Sequence, residues 1–125
     1  MTDPITVMIV DDHEMVRRGA CGYLEAHPDI SIVAQAGTGE EAVKLAQEFI
    51  PDVVLMDLVM PGMGGVEAYD SMKEINPNIK VLLSSGYSID SKTTEIMKRD
   101  CDGFIQKPFN MKELSGEIRK ILGKE

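Results

Sequence analysis

The chain has 125 residues, of which 43% are hydrophobic and 27% are charged, and its formal net charge is −8. These values predict one globular domain over residues 1–125, and the absence of any apolar run near about 20 residues excludes a membrane span. The acidic balance argues against direct nucleic-acid binding, because contacts to phosphates require clustered Lys and Arg.

The first half of the chain alternates two predicted strands with two predicted helices. Residues 5–10 and 30–36 are apolar runs that predict strands. A helix between them ends before Pro28, and its inward residues are predicted to be Val16, Ala20, Tyr23 and Leu24. Thr38 and Glu41 have capping-box spacing and open a second helix. Its inward residues are predicted to be Ala42, Val43, Ala46, Phe49 and Ile50.

The second half continues the alternation. Residues 53–56, 79–85 and 103–107 predict three further strands. The third helix is predicted to bury Val66, Tyr69, Met72 and Ile75 and to end at Asn76-Pro77. A fourth helix is predicted at about 90–99. Asn110, three residues before Glu113, is predicted to cap a fifth helix, whose inner residues are Met111, Leu114, Ile118, Ile121 and Leu122.

Strict alternation of strand and helix predicts the fold class. Several of the strands lack period-2 alternation, which is typical of strands that are buried on both faces. Right-handed crossovers then place helices on both sides of a parallel sheet. The prediction is an α/β, doubly wound (βα)5 domain with the flavodoxin-like strand order 2-1-3-4-5, and with its site at the carboxyl ends of the strands.

Polar residues follow the predicted strands at that edge. Asp11 and Asp12 follow the first strand, Asp57 the third, Ser84 and Ser85 end the fourth, and Lys107 follows the fifth. Clustered carboxylates repel one another unless a cation lies among them, and a site made of oxygen ligands suits Mg²⁺. A lysine and a hydroxyl nearby suit the oxygens of a phosphoryl group. These residues predict that Asp57 is a nucleophile toward phosphorus that forms an acyl phosphate.

Some of these residues also have plainer interpretations. Taken alone, Asp11 and Asp12 fit a strand end or a helix cap, and Ser85 fits a turn. His13 lies beside the acids, but at the start of a predicted helix it is interpreted as solvated rather than as a metal ligand. Phe104 fits either a plain core position or a role in a conformational switch.

Four motifs in order carry a family resemblance. They are VDD at 10–12, LMDLVMPGMGG at 55–65, LLSSGY at 82–87 and FIQKPF at 104–109. With them, the chain resembles the receiver domain of two-component response regulators over its whole length. The resemblance implies that Asp57 is the phosphoacceptor, that Asp12 binds Mg²⁺ directly, that Asp11 acts mainly through water, and that the carbonyl of Val59 completes the protein's ligands.

The resemblance also implies the roles of three further residues. Lys107 would pair with the phosphoryl oxygens, and Ser85 would be the switch hydroxyl, so that Asp57, Ser85 and Lys107 form the catalytic set. Phe104 matches the aromatic residue whose rotation reports phosphorylation.

Cys21 and Cys101 lack CxxC spacing and the N-terminus does not resemble a signal peptide, so we expect a reducing, cytoplasmic location.

The two halves resemble different subfamilies. Residues 5–68 are similar to receivers of helix-turn-helix regulators, whereas residues from about 70 onward are similar to receivers of hybrid histidine kinases. A natural mosaic and an engineered chimera both fit this pattern. Since no output domain follows Glu125, a single-domain regulator or a receiver excised from a longer chain is also expected.

The function expected from the resemblance is a phosphorylation-controlled signalling module, not an enzyme beyond its own phosphotransfer and dephosphorylation. A histidine kinase or phosphotransfer protein would supply the phosphoryl group, and the face made by the fourth helix, fifth strand and fifth helix would switch. A homodimer through that face is a further expectation.

Two alternatives remain. A haloacid-dehalogenase-like phosphatase needs a second Asp two residues after its nucleophile, where this chain has Val59. A receiver that binds a partner without phosphorylation is disfavoured because Asp12, Asp57, Ser85 and Lys107 are all present.

Overall fold

The computed structural model describes residues 4–57, 65–85, 102–106 and 110–122. Its strands are β1 (Ile5–Val10), β2 (Ile30–Ala36), β3 (Val53–Asp57), β4 (Lys80–Ser85) and β5 (Gly103–Gln106). Its helices are α1 (Glu14–Glu25), α2 (Gly39–Phe49), α3 (Gly65–Ile75) and a C-terminal helix (Met111–Ile121). The helix predicted at about 90–99 lies outside the described residues.

The strands form one parallel sheet in the order β2-β1-β3-β4-β5, which confirms the predicted topology. In the registers, Val10 pairs with Met56 and Asp57 pairs with Ser84. The carboxyl ends of β1, β3 and β4 therefore lie side by side at one edge of the sheet. Among the helices of the described ranges, none has the length and apolar character needed to cross a membrane.

Two hydrophobic layers cover the sheet. On one face, Met8, Val54 and Leu83 pack with residues of α2 and α3 such as Ala42 and Met72. On the other face, a second layer joins α1 and the C-terminal helix, and it contains Ile9, Leu24, Leu55, Leu82, Leu114 and Ile118. Each buried aliphatic side chain contributes about 1.5–3 kcal/mol. Burial on both faces explains why β3 reads as a continuous apolar run.

The predicted helix caps are present. The Thr38 hydroxyl accepts a hydrogen bond from the Glu41 N–H at 3.1 Å, and the Glu41 carboxylate accepts one from the Gly37 N–H at 2.9 Å. At the C-terminal helix, Asn110 Oδ1 accepts a hydrogen bond from the Glu113 N–H at 2.8 Å. These contacts satisfy amide groups that the first turn of a helix leaves without a partner, and they fix where α2 and the C-terminal helix begin.

The inward positions predicted at helix ends are wrong in four cases. Val16 (40%), Phe49 (46%), Ile50 (63%) and Ile75 (40%) are exposed. Val16 lies in the first turn of α1, and the other three lie at the last residue of a helix or at its cap. Helical spacing defines a face but not the point at which the helix reaches the edge of the core, so end residues on the correct face remain in solvent.

Candidate functional site

The ends of β1 and β3 bring three aspartates together. Asp11 and Asp12 lie in the loop between β1 and α1, and Asp57 is the last residue of β3. Because β1 and β3 are neighbours in the sheet, their carboxyl ends place these side chains side by side. Asp11 is 4% exposed and Asp57 is 5% exposed, whereas Asp12 is on the surface.

These side chains form a group that is able to hold a metal ion, together with an imidazole that the sequence did not assign to it. One ligand atom from each member lies within 4.8 Å of those of the others. We call this group the rim cluster; it comprises Asp11, Asp12, His13 and Asp57. The His13 side chain is 67% exposed, as expected, yet its Nδ1 lies 3.2 Å from Oδ1 of Asp11 and of Asp12.

The donor set of the rim cluster fits the Mg²⁺ implied by the family resemblance. Carboxylate oxygens are the ligands that Mg²⁺ prefers, and it is usually held by only one or two of them together with water and phosphate. Two of the three carboxylates are buried, and like charges at close range in a buried setting repel. A divalent cation among these oxygens would offset that repulsion.

The loop that carries Asp11 is held on both sides. The Asp11 N–H donates a hydrogen bond to the carbonyl of Ala36 at the end of β2, at 3.0 Å. Arg17 Nη1 donates one to the Asp11 carbonyl at 2.6 Å, and Arg17 Nε donates one to Gln35 Oε1 at 3.3 Å. The His13 N–H donates one to Asp11 Oδ1 at 2.9 Å. The loop is therefore fixed between β2 and α1 by its own backbone and by one guanidinium group.

Sequence reasoning missed Arg17. The sequence places Arg17 and Arg18 next to each other on the same helix. Because both are arginines, residue type alone does not indicate which of them contacts the site. Their positions do, because Arg17 lies one turn after His13 and turns back toward the strand ends, while Arg18 pairs with Glu14 in solvent at 2.9 Å. A helical projection that started at Glu14 would have separated them.

On the other side of Asp57, β4 supplies two serines. Ser84 is the register partner of Asp57 and is 2% exposed, and Ser85 pairs with Gln106 at the end of β4. The side chain of Ser85 lies outside the described part of the structure, as do Val59 and Lys107. Their predicted roles therefore stay predictions.

Phe104 lies in β5, next to Leu83 in register, and it is partly buried against the layer that contains α2 and α3. It thus lies on the same side of the sheet as the core face of α3. Its assignment to a conformational switch also stays a prediction.

Comparison with protein families identifies the family to which this fold and its cluster of aspartates belong. The family of the response regulator receiver domain matches residues 7–119. Among curated proteins, the response regulator protein VraR of Staphylococcus saprophyticus is 39% identical over 122 residues, which are 98% of this chain and 58% of that protein. VraR of Staphylococcus aureus strain COL is 40% identical over 116 residues, 93% of this chain and 56% of that protein. The chain spans little more than half the length of these relatives.

Solved structures show the same architecture. A LuxR-family two-component response regulator from Aurantimonas matches with a TM-score of 0.86 and 30% identity, over 97% of this chain and 86% of that one. The response regulator domain of Thermotoga maritima CheB matches with a TM-score of 0.85 and 29% identity, over 98% of both chains. A LuxR-family DNA-binding response regulator from Staphylococcus aureus matches with a TM-score of 0.84 and 29% identity, over 94% of this chain and 98% of that one.

Proposed function

The chain belongs to the response regulator receiver domain family, and on that premise we propose that Asp57 accepts a phosphoryl group that controls the domain as a signalling module. Receiver domains are signalling modules rather than classical enzymes, and they interact with histidine kinases or phosphotransfer proteins. The observation that carries the proposal is the position of Asp57: it is nearly fully buried at the carboxyl end of β3, within 4.8 Å of ligand atoms of Asp11 and Asp12.

The proposed reaction is a phosphoryl transfer. A carboxylate oxygen of Asp57 forms a bond to phosphorus while the phosphorus–nitrogen bond of a phosphohistidine breaks. The electron pair of that bond stays on the imidazole of the donor, which takes up a proton as it leaves. The product is an acyl phosphate, in which Asp57 has acted as the nucleophile.

The acids would hold the cation on which the proposed reaction depends. We assign Asp12 and Asp57 as direct Mg²⁺ ligands, Asp11 as a ligand mainly through water, and the carbonyl of Val59 as the remaining protein ligand. When bound, Mg²⁺ supplies positive charge that offsets the negative charge of the carboxylates and of the incoming phosphoryl group. The buried walls around Asp57 strengthen these electrostatic effects by keeping the local dielectric constant low.

Phosphorylation would be read out on the opposite side of the site. Lys107 is proposed to pair with the phosphoryl oxygens, and the hydroxyl of Ser85 to hydrogen-bond to one of them, because charge-assisted contacts of this kind are strong. The added charge would draw both residues inward together with Phe104. This would bias the face made by residues 90–99, β5 and the C-terminal helix toward a partner-binding state.

The partners follow from that readout. We propose a histidine kinase or phosphotransfer protein as donor and a homodimer through the switched face. One similar structure is that of a DNA-binding response regulator. For the residues of this chain we propose no direct contact with nucleic acid, since a net charge of −8 opposes binding to phosphates.

Intact-mass measurement tests the proposal. The protein is incubated with Mg²⁺ and acetyl phosphate, and the added mass of one phosphoryl group is expected. Asp57→Asn should abolish the addition because the neutral amide oxygen is a far weaker nucleophile than a carboxylate oxygen. Asp70→Asn, at an exposed position of α3, is the matched control and should be phosphorylated normally. Equal labelling of the Asp57 variant would refute the assignment.

A further inference from the structure

Three large apolar side chains are exposed to solvent at the ends of α2 and α3. Phe49 is the last residue of α2, Ile50 is its cap, and Ile75 is the last residue of α3. They are three of the five large hydrophobic side chains that are exposed within the described ranges. Pro77, two residues after Ile75, is exposed as well. We call these four residues the helix-end patch.

The path of the chain brings both helix ends to the same edge of the sheet. α2 and α3 pack side by side on one face, and each runs back to the amino edge of the sheet, where the next strand begins. There, the Lys80 N–H at the start of β4 donates a hydrogen bond to the Asp52 carbonyl at 3.2 Å. Asp52 lies two residues after Ile50, and Lys80 follows the turn that leaves α3. The helix-end patch therefore lies at the edge opposite the rim cluster.

The exposure of Ile50 is not explained by the end of a helix alone. Phe49 and Ile75 are exposed because their helices reach the edge of the core there. Ile50 instead adopts a left-handed backbone conformation as the cap of α2, a position at which glycine is preferred and a branched side chain is crowded. The fold gains little from this side chain, since most of it is in solvent. Strained backbone is concentrated at functional positions, and here it presents an apolar group to any partner.

The charge around the patch indicates what kind of partner fits. The carboxylates exposed next to the patch are those of Glu48, Asp52 and Glu74. Lys73 and Lys80 also lie near the end of α3, but both pair with the Asp102 carboxylate, at 2.8 and 3.9 Å. Lys44 lies more than a full turn of α2 before Phe49. The surroundings of the patch are therefore predominantly negative, in line with the net charge of −8 for the whole chain.

We propose that the helix-end patch binds a partner protein through an amphipathic, positively charged segment. Its apolar side chains contact Phe49, Ile50 and Ile75, and its Lys or Arg side chains face the surrounding carboxylates. Apolar patches with a polar rim mark protein–protein contacts, and complementary charge selects the partner. A second copy of this chain is a poor occupant, because the same carboxylates would face one another. The patch does not include Asp57, so the inference goes beyond the proposed function and does not rest on it.

Two synthetic peptides test the proposal. Both form amphipathic helices with leucine on one face, and their polar positions are all lysine in one peptide and all glutamate in the other. Each is titrated into isotope-labelled protein and followed by nuclear magnetic resonance. We expect the lysine peptide to bind, with amide shifts concentrated at residues 47–52 and 73–78, and the glutamate peptide not to bind. Ile50→Gly should weaken binding of the lysine peptide by about tenfold or more, as the loss of a central apolar contact does.

The variants separate binding from folding and from phosphorylation. Ile50→Gly removes a strained conformation, so its loss of binding cannot be ascribed to unfolding if its melting temperature is unchanged or raised. The double variant Glu48→Lys with Glu74→Lys keeps the apolar side chains and should also weaken binding. Met15→Ser, at an exposed apolar position of α1, is the matched control and should leave the affinity unchanged. Asp57→Asn should bind the peptide as the wild-type protein does, whatever the outcome of the phosphorylation test.

Four results would overturn the proposal. They are binding of neither peptide, equal binding of both, shifts centred on the rim cluster, and an unchanged affinity in Ile50→Gly. Sedimentation of the protein alone tests the other occupant. Self-association that is lost in Ile50→Gly would assign the patch to a second copy of the chain and overturn the proposal of a positively charged partner.

Discussion

Ile50 has a left-handed backbone conformation, which is unfavourable for a β-branched residue. It has φ 47° and ψ 60°, and it is the only non-glycine residue with positive φ in the described ranges. Its N–H donates a hydrogen bond to the Ala46 carbonyl at 3.0 Å, so it ends α2 as a left-handed cap. Glycine normally occupies such a cap, because a Cβ atom, and above all a branched one, is crowded there. The side chain is 63% exposed, so little burial compensates for the strain.

Replacement of Ile50 by glycine should therefore stabilise the protein. Relief of the left-handed conformation is worth about 1–2 kcal/mol, and the greater freedom of glycine in the unfolded chain costs about 0.5–1 kcal/mol. Urea denaturation of Ile50→Gly is expected to show a net gain of about 0.5–1 kcal/mol. Ile75→Gly, at an exposed end of α3 without positive φ, should destabilise. A loss of stability in both variants would show that the Ile50 side chain makes a contribution that outweighs its strain.

At the scale of elements, the sequence predicts what depends on local pattern. Apolar runs defined the five strands to within a residue or two at their ends, and the Thr38 and Asn110 caps defined two helix starts. Because sites in parallel sheets lie at the carboxyl ends of the strands, the sequence also predicted that the aspartates lie close together. Contacts that depend on the path of the chain were not predictable. Exposure at Phe49 depends on where α2 leaves the core, and the contact of Arg17 with Asp11 depends on how α1 is placed against β1.

Arg17 gives a test of how the elements position the site. Its guanidinium donates to the Asp11 carbonyl, and hydrogen bonds from charged groups contribute about 1.5–3 kcal/mol. If this contact positions the acids, Arg17→Met should weaken Mg²⁺ binding, although it removes a positive charge that opposes the cation. Arg18→Met, which loses only an exposed pair with Glu14, is the matched control and should leave Mg²⁺ affinity unchanged. Calorimetric titration of each variant with Mg²⁺ measures the effect.

The two possible roles of Arg17 change Mg²⁺ affinity in opposite directions. Tighter binding in Arg17→Met would mean that its charge matters more than its contact with the loop. An unchanged affinity would mean that the hydrogen bond from the Asp11 N–H to the Ala36 carbonyl and the one from the His13 N–H to Asp11 Oδ1 hold the loop without help.

At the scale of the whole molecule, two hydrophobic layers hold a parallel sheet whose carboxyl edge carries clustered negative charge. Within the described ranges the layers contain most of the buried side chains, while Asp11 and Asp57 bring buried carboxylates close to one another. The layers therefore supply most of the stability, and we expect the clustered carboxylates to reduce it when no cation is bound. A ligand that binds only the folded state must add stability.

Mg²⁺ should accordingly raise the melting temperature. At ten times the dissociation constant the added stability is about 1.4 kcal/mol, or a rise of about 5 °C for a domain of this size. Asp12→Ala should abolish the rise, and the variant should be at least as stable as the wild-type protein without metal because one repelling charge is gone. Differential scanning calorimetry, with Asp70→Asn as control, measures both. A Mg²⁺ response that survives in Asp12→Ala would place the cation elsewhere.

We propose that Asp57, and no other carboxylate of the rim cluster, carries the phosphoryl group. Borohydride reduces an acyl phosphate to an alcohol, so a phosphorylated aspartate becomes homoserine and keeps its place in the sequence. The protein is treated with acetyl phosphate and Mg²⁺, reduced, digested and sequenced by tandem mass spectrometry. We expect homoserine at position 57, dependent on both Mg²⁺ and the phosphodonor. Homoserine at position 11 or 12, or none at any position, would contradict the account.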